Sequence, residues 1–347
     1  MAEITIKDIA KQCGVGVSTV SRAINNHPDI NPKTRRMIMD VIAQTGFIPN
    51  NSARNLKRTD AKCIAVLVKG IANPFFGSMI QIIEEETQKN KYALVLRHVE
   101  AYEDEVDVAL ALVKEQRLRG IIFLGGAFYH AEEKLEKLTV PFVFSTIGAK
   151  ASETADGISY SNIAVDDRVE SKKMTDYLLR LGHRRIAIIT EGSEKPSVGQ
   201  LRLEGYKDAF REHHLTIDDD LIWYVQEDIE HYSMENGYLT TRRMLESGAE
   251  VTAVYATADL LAVGACRAIL EAGKRIPEDI SVAGYDGISL GEYYNPKLTT
   301  MKQPAEDMAK KTIQLLLDVI DGKKEHQQII FDAKLVERES AKKPYAQ

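Results

Sequence analysis

The sequence predicts an α/β protein with two lobes of parallel sheet, preceded by an all-α helix-turn-helix headpiece. Three observations carry this. Apolar strand-like runs alternate with amphipathic helix-like runs for about 240 residues beyond position 61, the pattern of parallel sheets covered by helices on both faces. The strand-like runs are too numerous for one such sheet. The first sixty residues contain short helix-spaced apolar patterns, separated by a glycine turn and an Asn-Pro start signal.

Composition narrows the function. With 347 residues, 44% hydrophobic and 28% charged, the chain reads as globular and multi-domain, not disordered. Its three cysteines, Cys13, Cys63 and Cys266, are too few and too scattered for a disulfide framework, and no CxxC pair exists for zinc. The start, MAEITIKDIA, lacks the apolar region of a signal peptide, and the run Cys63–Val68 is far too short to span a bilayer. A cytoplasmic protein without a membrane partner is expected. The net charge of −6 is unevenly spread: residues 1–60 carry nine Lys/Arg against five Asp/Glu, and the remainder 36 against 46. A basic segment on an acidic body fits contact with a polyanion through the segment alone, or a solvated surface with chance clustering.

Ile6, Ile9 and Ala10 follow helical spacing behind Thr5, a good N-cap, with Asp8 where a capping box places an acid. Gly14 breaks the pattern. A second helix begins near Gly16–Val17 and runs to Ile24; Val15, Val20 and Ile24 pack back on Ile9 and Ala10 and leave Val17, Ser18, Ser21 and Arg22 directed outward. Two short helices joined by a tight turn form a helix-turn-helix, whose second helix suits a major groove. Asn31-Pro32 then opens a third helix with Ile38, Val41 and Ile42 on one face, stopping at Gly46. Lys33, Arg35 and Arg36 near its start suit phosphates, as do the amides of its first turn. The polar stretch Pro49–Arg58 follows, holding one large apolar residue, Leu56. It fits a plain linker, or a short segment that inserts Leu56 between base steps in the minor groove beside Arg54, Lys57 and Arg58.

TVSR, NPKTR, GF-x-PN and AR-x-L occur here in order, and residues 4–58 resemble the DNA-binding headpiece and hinge of the LacI/GalR family of bacterial transcription regulators. The resemblance implies that Val17, Ser18 and Arg22 read bases and that Leu56 intercalates. It extends the expected DNA-binding set to Thr5, Thr19, Ser21, Asn31, Thr34 and Ala53. Gly16 departs from the Ser usual in the family at the recognition-helix cap, a change worth only a few tenths of a kcal/mol.

In the body, strands are expected at Cys63–Val68, Tyr92–Leu96, Gly120–Leu124, Phe142–Ser145, Ile186–Thr190, Val251–Ala256 and Ile280–Gly284. Helices are expected at Phe76–Lys89, Glu103–Gln116, Val169–Leu181, Gly199–His213, Ser233–Glu246, Leu260–Glu271 and Ala305–Ile320, with a strand-rich segment Gln327–Val336 at the end. The alternation breaks around Ile158–Asp166 and Gly287–Pro296, so the chain is expected to cross between lobes more than once. Two lobes joined in this way form a hinged cleft, with ligands at the carboxyl ends of strands.

Residues 61–340 resemble the same family's periplasmic-binding-protein-like core, through NPFF at 73–76, GHRRIAIIT at 182–190, RLEGYKDAF at 202–210, TADLLAVGACRAI at 257–269, ISVAGYDG at 280–287 and LTTMKQP at 298–304. The implied domains are a headpiece (1–48), a hinge (49–60), the core (61–340) and a tail (341–347). Within the core, one lobe is expected over 61–159 and 290–320 and the other over 160–289 and 321–340.

Phe75 and Phe76, after the first strand, fit core packing or an aromatic platform for a sugar ring or base. Arg202 stands where the family has a ligand-binding arginine, and a guanidinium fork suits vicinal hydroxyls or a carboxylate. Asp286 follows the strand Ile280–Gly284 and is expected to bind ligand. Asp259 fits a helix cap or a ligand contact. Tyr232 matches a ligand-facing aromatic of the family. Aromatic faces with acceptors and one Arg favour a sugar over a purine.

Enzyme signals are weak. Gly287–Gly291 fits GxSxG, the nucleophile-elbow pattern around Ser289, but His326 is the sole downstream His. HExxH, the phosphate-binding loop and GxGxxG are absent, and His213-His214 reads as a solvated helix end. No catalytic residue, metal or cofactor is expected. The expectation is a homodimeric, effector-controlled repressor on a pseudo-palindromic operator in double-stranded DNA, with its half-sites about one helical turn apart. Three alternatives keep the same residues: a purine or phosphoprotein effector, a transport-type binding protein, and a hydrolase built on Ser289.

Overall fold

The computed structural model describes residues 4–24, 27, 29–45, 47, 62–128, 130–148, 153–154, 157–158, 160–192 and 196–344. The chain divides into two compact units, Met1–Ala61 and Lys62–Gln347.

Among its described residues, the first unit holds three helices: α1 (Ile6–Cys13), α2 (Val17–Ile24) and α3 (Pro32–Thr45). The start of α1 is tied as its sequence signals: the Thr5 amide and hydroxyl both donate to the Asp8 carboxylate, at 2.9 and 2.6 Å. Those bonds hold the Asp8 carboxyl below its ordinary range. Gly14 ends the helix at φ 64°, a left-handed conformation that glycine adopts without penalty. Ile9, Ala10, Val20, Ala23 and Ile38 form the buried core, with Val15, Ile24, Val41, Ile42 and Phe47 packed around it. A core this small makes each member count, and Ile38→Ala should cost about 2–5 kcal/mol.

The second unit is built on two six-stranded sheets. In chain order its elements are β1 (Cys63–Lys69), α4 (Pro74–Lys89), β2 (Ala93–Val99), α5 (Glu105–Glu115), β3 (Leu118–Leu124), α6 (Glu132–Leu135) and β4 (Phe142–Ser145). The two-residue strands β5 (Glu153–Thr154) and β6 (Gly157–Ile158) pair with each other, and β7 (Ser161–Val165) follows. Next come α7 (Asp167–Leu181), β8 (Ile186–Thr190), α8 (Val198–Glu212), β9 (Ile222–Tyr224), α9 (Met234–Glu246), β10 (Ala253–Ala256), α10 (Asp259–Glu271) and β11 (Ser281–Asp286). The chain ends with α11 (Leu290–Tyr293), β12 (Thr299–Lys302), α12 (Ala305–Ile320), β13 (Gln328–Phe331) and β14 (Lys334–Val336).

The first sheet has the order β13-β7-β4-β3-β1-β2 and is parallel throughout. The second has the order β14-β12-β11-β10-β8-β9, parallel except where β14 runs against β12. The central strands β1, β3, β8 and β10 are buried almost without interruption, as sheets covered on both faces require. Helices α9 and α10 pack with their backbones close. A Cβ at Gly264 would meet the Met234 carbonyl at 2.0 Å, and one at Gly237 the Leu261 carbonyl at 2.2 Å, so only glycine fits at either position.

The lobe boundaries differ from those expected at 159, 289 and 320. Ser161–Val165 pairs with β4 and β13 and completes the first lobe, so the first crossing falls at Asp166. Residues 290–302 belong to the second lobe, because β12 pairs with β11. The second crossing is at Gln303, after which α12 sends Met308, Ala309 and Ile313 into the first lobe's core. The Gln327–Val336 segment is two strands in two sheets, and the third crossing lies between Phe331 and Lys334. The polar start of Ser161-Asn162 hid β7: Ser161 is buried, its hydroxyl bonded to His326 Nδ1 at 3.1 Å.

Candidate functional site

In the first unit, α2 turns Val20 and Ala23 inward and leaves Val17, Ser18 and Arg22 exposed, with Thr19 and Ser21 half-buried. Positions 17, 18, 21 and 22 thus share one helix face. No carboxylate lies within ion-pair distance of Arg22 among the described residues. Thr5 and Asn31 have structural partners: Thr5 binds Asp8, and Asn31 Oδ1 accepts the Lys33 amide at 2.9 Å, capping α3. Thr34 is half-buried in the first turn of α3. Ala53 and Leu56, with the rest of the hinge, lie outside the described residues.

In the second unit, the carboxyl ends of both sheets bring charged side chains together. Arg202, on α8, is buried. Its Nε and Nη2 both donate to Asp167 Oδ1 at 2.8 Å, and its Nη1 donates to the Thr257 carbonyl at 2.6 Å. Its guanidinium lies 3.8 Å over the Tyr285 ring. Burial opposes its charge, but Asp167 beside it keeps the guanidinium fully protonated.

Asp286 ends β11 at φ 111°, a left-handed backbone rare for a residue with a side chain. Its Oδ1 accepts Gln303 Nε2 at 2.9 Å and lies 3.9 Å from Arg202; its Oδ2 accepts Asn73 Nδ2, from the first lobe, at 3.1 Å. Burial pushes its carboxyl up, against the pull of Arg202, Asn73 and Gln303.

Asp259 is not a helix cap: the N-cap of α10 is Ala258. Its carboxylate instead accepts the Thr300 hydroxyl at 2.6 Å and the Ile288 amide at 2.8 Å, pinning the turn after Asp286. Burial, and then Asp286 nearby, push Asp259 up to about 8.

Phe75 is buried in the first lobe's core; Phe76 is half-buried and meets it edge-on at 5.5 Å. Tyr232 packs against the second lobe's core, and burial with Glu191 beside it raises its phenol well above the ordinary value.

Several groups at the same edges escaped the sequence. Asp167, Glu191 and Gln303 each stand within two residues of the end of a strand. Glu191 faces His231 Nδ1 at 3.3 Å. At the end of β1, Lys69 Nζ lies 3.4 Å from Glu105, which accepts the Ala127 amide at 2.6 Å and has His130 Nε2 at 3.2 Å. Burial opposes the charge on Glu105, but those hydrogen bonds and Lys69 hold its carboxyl at about 2. For Lys69 and Glu191 the signal was available: an ionisable residue at or just past the end of a continuous apolar strand in an open parallel sheet.

The Ser289 pattern forms no nucleophile elbow. Ser289 is exposed before the one-turn α11, while His326 sits in the first lobe, bonded to Ser161. Among the described residues no group of His, Cys, Asp and Glu could hold a metal ion, and no helix is long and apolar enough to cross a membrane.

Comparison with known proteins accords with both units. The family model described as bacterial regulatory proteins, lacI family, matches residues 5–50, and that of a periplasmic binding protein-like domain matches residues 175–341. The HTH-type transcriptional regulator MalR of Clostridium butyricum is 38% identical over 340 residues, covering 97% of this chain and 99% of its own. The ribose operon repressor of Haemophilus influenzae is 32% identical, covering 97% and 98%. Among solved structures, the lac repressor dimer bound to operator and the anti-inducer ONPF aligns with a TM-score of 0.72 at 26% identity, covering 98% of this chain and 99% of that one. The regulator CelR in complex with cellobiose aligns with a TM-score of 0.69 at 27% identity, covering 97% and 100%. These relatives are regulators and not enzymes, and the chain belongs to the LacI family of bacterial transcriptional regulators.

Proposed function

We propose that this regulator is a homodimeric, cytoplasmic repressor whose operator affinity is set by an uncharged sugar held between the lobes. Val17, Ser18, Ser21 and Arg22 on α2 read bases in the major groove. Thr5, Thr19, Asn31 and Thr34 contact the backbone, and Ala53 and Leu56 engage the minor groove. The sugar is held by Arg202 and Asp286, with Phe76 and Tyr232 as apolar walls. Phe75 and Asp259 act from behind, as core and as a pin for the Asp286 turn.

The observation that carries the effector class is the pairing of a guanidinium and a carboxylate 3.9 Å apart at the carboxyl edge of the sheet. A donor fork beside an acceptor matches vicinal hydroxyls. Charge supports a neutral ligand: both cations are already matched, Lys69 by Glu105 and Arg202 by Asp167 and Asp286. An anionic sugar phosphate or uronate would meet net repulsion there. A ligand that binds the two states of the core differently shifts their balance, and with it operator affinity.

A thermal-shift screen of the full chain against neutral mono- and disaccharides, sugar phosphates and nucleobases tests this. Ligand at 100 times its Kd adds about 2.7 kcal/mol. At about 2–4 °C per kcal/mol for a large domain, a neutral sugar should raise Tm by roughly 5–10 °C. A rise only with phosphates or nucleobases would overturn the sugar assignment.

A further inference from the structure

The second unit is acidic, with 36 Lys and Arg against 46 Asp and Glu beyond residue 60, yet one part of its surface is not. Strands β1, β2 and β3 are parallel, so their amino ends lie along one edge of the first sheet, opposite the carboxyl ends that bear the candidate site. Lys62 precedes β1 there, and its ammonium lies 5.6 Å over the ring of Tyr92, just before β2. Arg119 is the one exposed residue of β3. Gly120 beside it admits the end of α12: a Cβ at that position would meet Leu316 and Ile320 at 2.9 Å. The turn after α12 is thereby set against the same edge. It carries Lys323 and Lys324, whose side chains are 65% and 38% exposed.

Two carboxylates stand among these four cations. Lys323 Nζ lies 2.7 Å from Asp321, and Lys324 Nζ 2.8 Å from Asp318. Asp321 is held below its ordinary value by Lys323 first and then by Lys62 and Arg119, so three cations converge on a single carboxylate. Neither Lys62 nor Arg119 has a carboxylate within ion-pair distance among the described residues. Lysines suit the negative end of a helix, which accounts for Lys323 and Lys324 but for neither Lys62 nor Arg119. Around the start of β4 the same edge turns acidic, with Glu132 and Glu136 lining a cavity beside Phe142. The chain enters the second unit at Lys62, so the tether to the first unit leaves from the basic half. The fourteen residues 48–61 reach at most about 50 Å when fully extended.

We propose that Lys62, Arg119, Lys323 and Lys324 form a second, sequence-independent contact with DNA, holding backbone phosphates that flank the bases read by α2. This rests on the DNA-binding function proposed above. A duplex held by the first unit stays within reach of the tether, and the tether starts at this edge. Phosphates take up the positive charge that Asp318 and Asp321 leave unmatched, and counterions condensed on the duplex are released. Such contacts add affinity and not discrimination, because the backbone carries no base identity. The acidic remainder of the unit repels the duplex and confines the contact to this edge.

Operator binding by the full chain, titrated by anisotropy between about 50 and 200 mM salt, tests the surface. The duplex carries the selected operator either trimmed or with about one helical turn of flanking sequence on each side. Each phosphate contact contributes about 0.9 to the slope of log K against log salt. The triple variant Arg119→Gln, Lys323→Gln, Lys324→Gln should flatten that slope by roughly 2–3 on the flanked duplex. Its preference for the operator over a scrambled sequence should be unchanged, and on the trimmed duplex its slope should match wild type. Arg119→Lys, which keeps the charge, should keep the slope. The triple Arg168→Gln, Arg211→Gln, Lys274→Gln removes the same charge elsewhere on the second unit and should leave the slope as in wild type. A wild-type slope in the first triple, or an equal flattening by the second, with melting curves confirming both folds, would overturn the surface and leave the DNA-binding function standing. A wild type that selects no sequence would remove that function, and the surface with it.

Discussion

Arg202→Ala should be the most damaging single change in the second unit that leaves its hydrophobic cores intact. Arg202 gives two 2.8 Å hydrogen bonds to Asp167 and one of 2.6 Å to the Thr257 carbonyl. Truncation leaves Asp167 and Asp286, 1% and 5% exposed, without their cation. Removing one partner of a buried pair costs about 3–5 kcal/mol, most of it the penalty of the orphaned charge. At about 2–4 °C per kcal/mol, the melting temperature of the second unit should fall by roughly 6–20 °C. The loss should shrink as the pH is lowered, because an orphaned carboxylate escapes its penalty by taking up a proton. Arg202→Ala combined with Asp167→Ala should be less destabilised than the sum of the single changes, by about 1–3 kcal/mol, since the double variant strands one carboxylate fewer. Circular-dichroism melts of the four proteins at pH 5 and pH 8 measure all of this. A single variant melting within 2 °C of wild type (on the order of the smallest shift expected per kcal/mol), or a double variant that is strictly additive, would show that Arg202 is not the counter-ion of this cluster.

Three other outcomes are expected. Asp259→Asn should flatten a decline of stability with pH: burial and Asp286 raise the folded-state value to about 8, so stability is full below the unfolded value near 4 and is lost as pH rises toward 8. The slope is at most about 1.4 kcal/mol per pH unit, and urea midpoints at pH 5 and 8 with an unchanged difference in the variant would contradict it. Arg22→Ala should lower discrimination at one base pair by about 1–3 kcal/mol, and Leu56→Ala should weaken operator binding while sparing ligand affinity; anisotropy titrations matching wild type for both would remove α2 and the hinge from the DNA interface. Asp286→Ala should abolish the ligand response and leave operator binding intact, and unchanged calorimetric affinity for a sugar identified by the screen would exclude its role.

Much of this was legible in the sequence because the signals are local. The Thr5–Asp8 cap, the Gly14 stop, the Asn31-Pro32 start and the inward set Ile9, Val20 and Ile38 each depend on residues within one helix turn or one small core. The apolar runs of β1, β3 and β8 announce themselves in the same way. The lobe assignment did not, because it depends on which strand pairs with which. Ser161–Val165 pairs with Gln328–Phe331, so that Asn162 meets Gln328, 166 positions further along the chain, only once the sheet forms. One sequence candidate acquired a different job for a similar reason. Asp259 lies at a helix start, yet its oxygens face Thr300 and Ile288, far along the chain. Asn73, which the sequence did not single out, caps the helix that follows it and also bonds Asp286, a contact that exists only when the lobes meet.

Operator affinity with and without ligand joins the two units in one measurement. The full chain is used to select oligonucleotides from a random duplex pool at moderate salt, and binding to the enriched sequence is titrated by anisotropy, alone and with a saturating neutral sugar from the thermal-shift screen. Enrichment of a two-fold symmetric sequence is expected, with an affinity that the sugar changes by about 5–150-fold and that Asp286→Ala makes insensitive to sugar. A pool that stays random, or an enriched operator bound equally well with sugar present and absent, would contradict the assignment of α2 as reader and the cleft as its control.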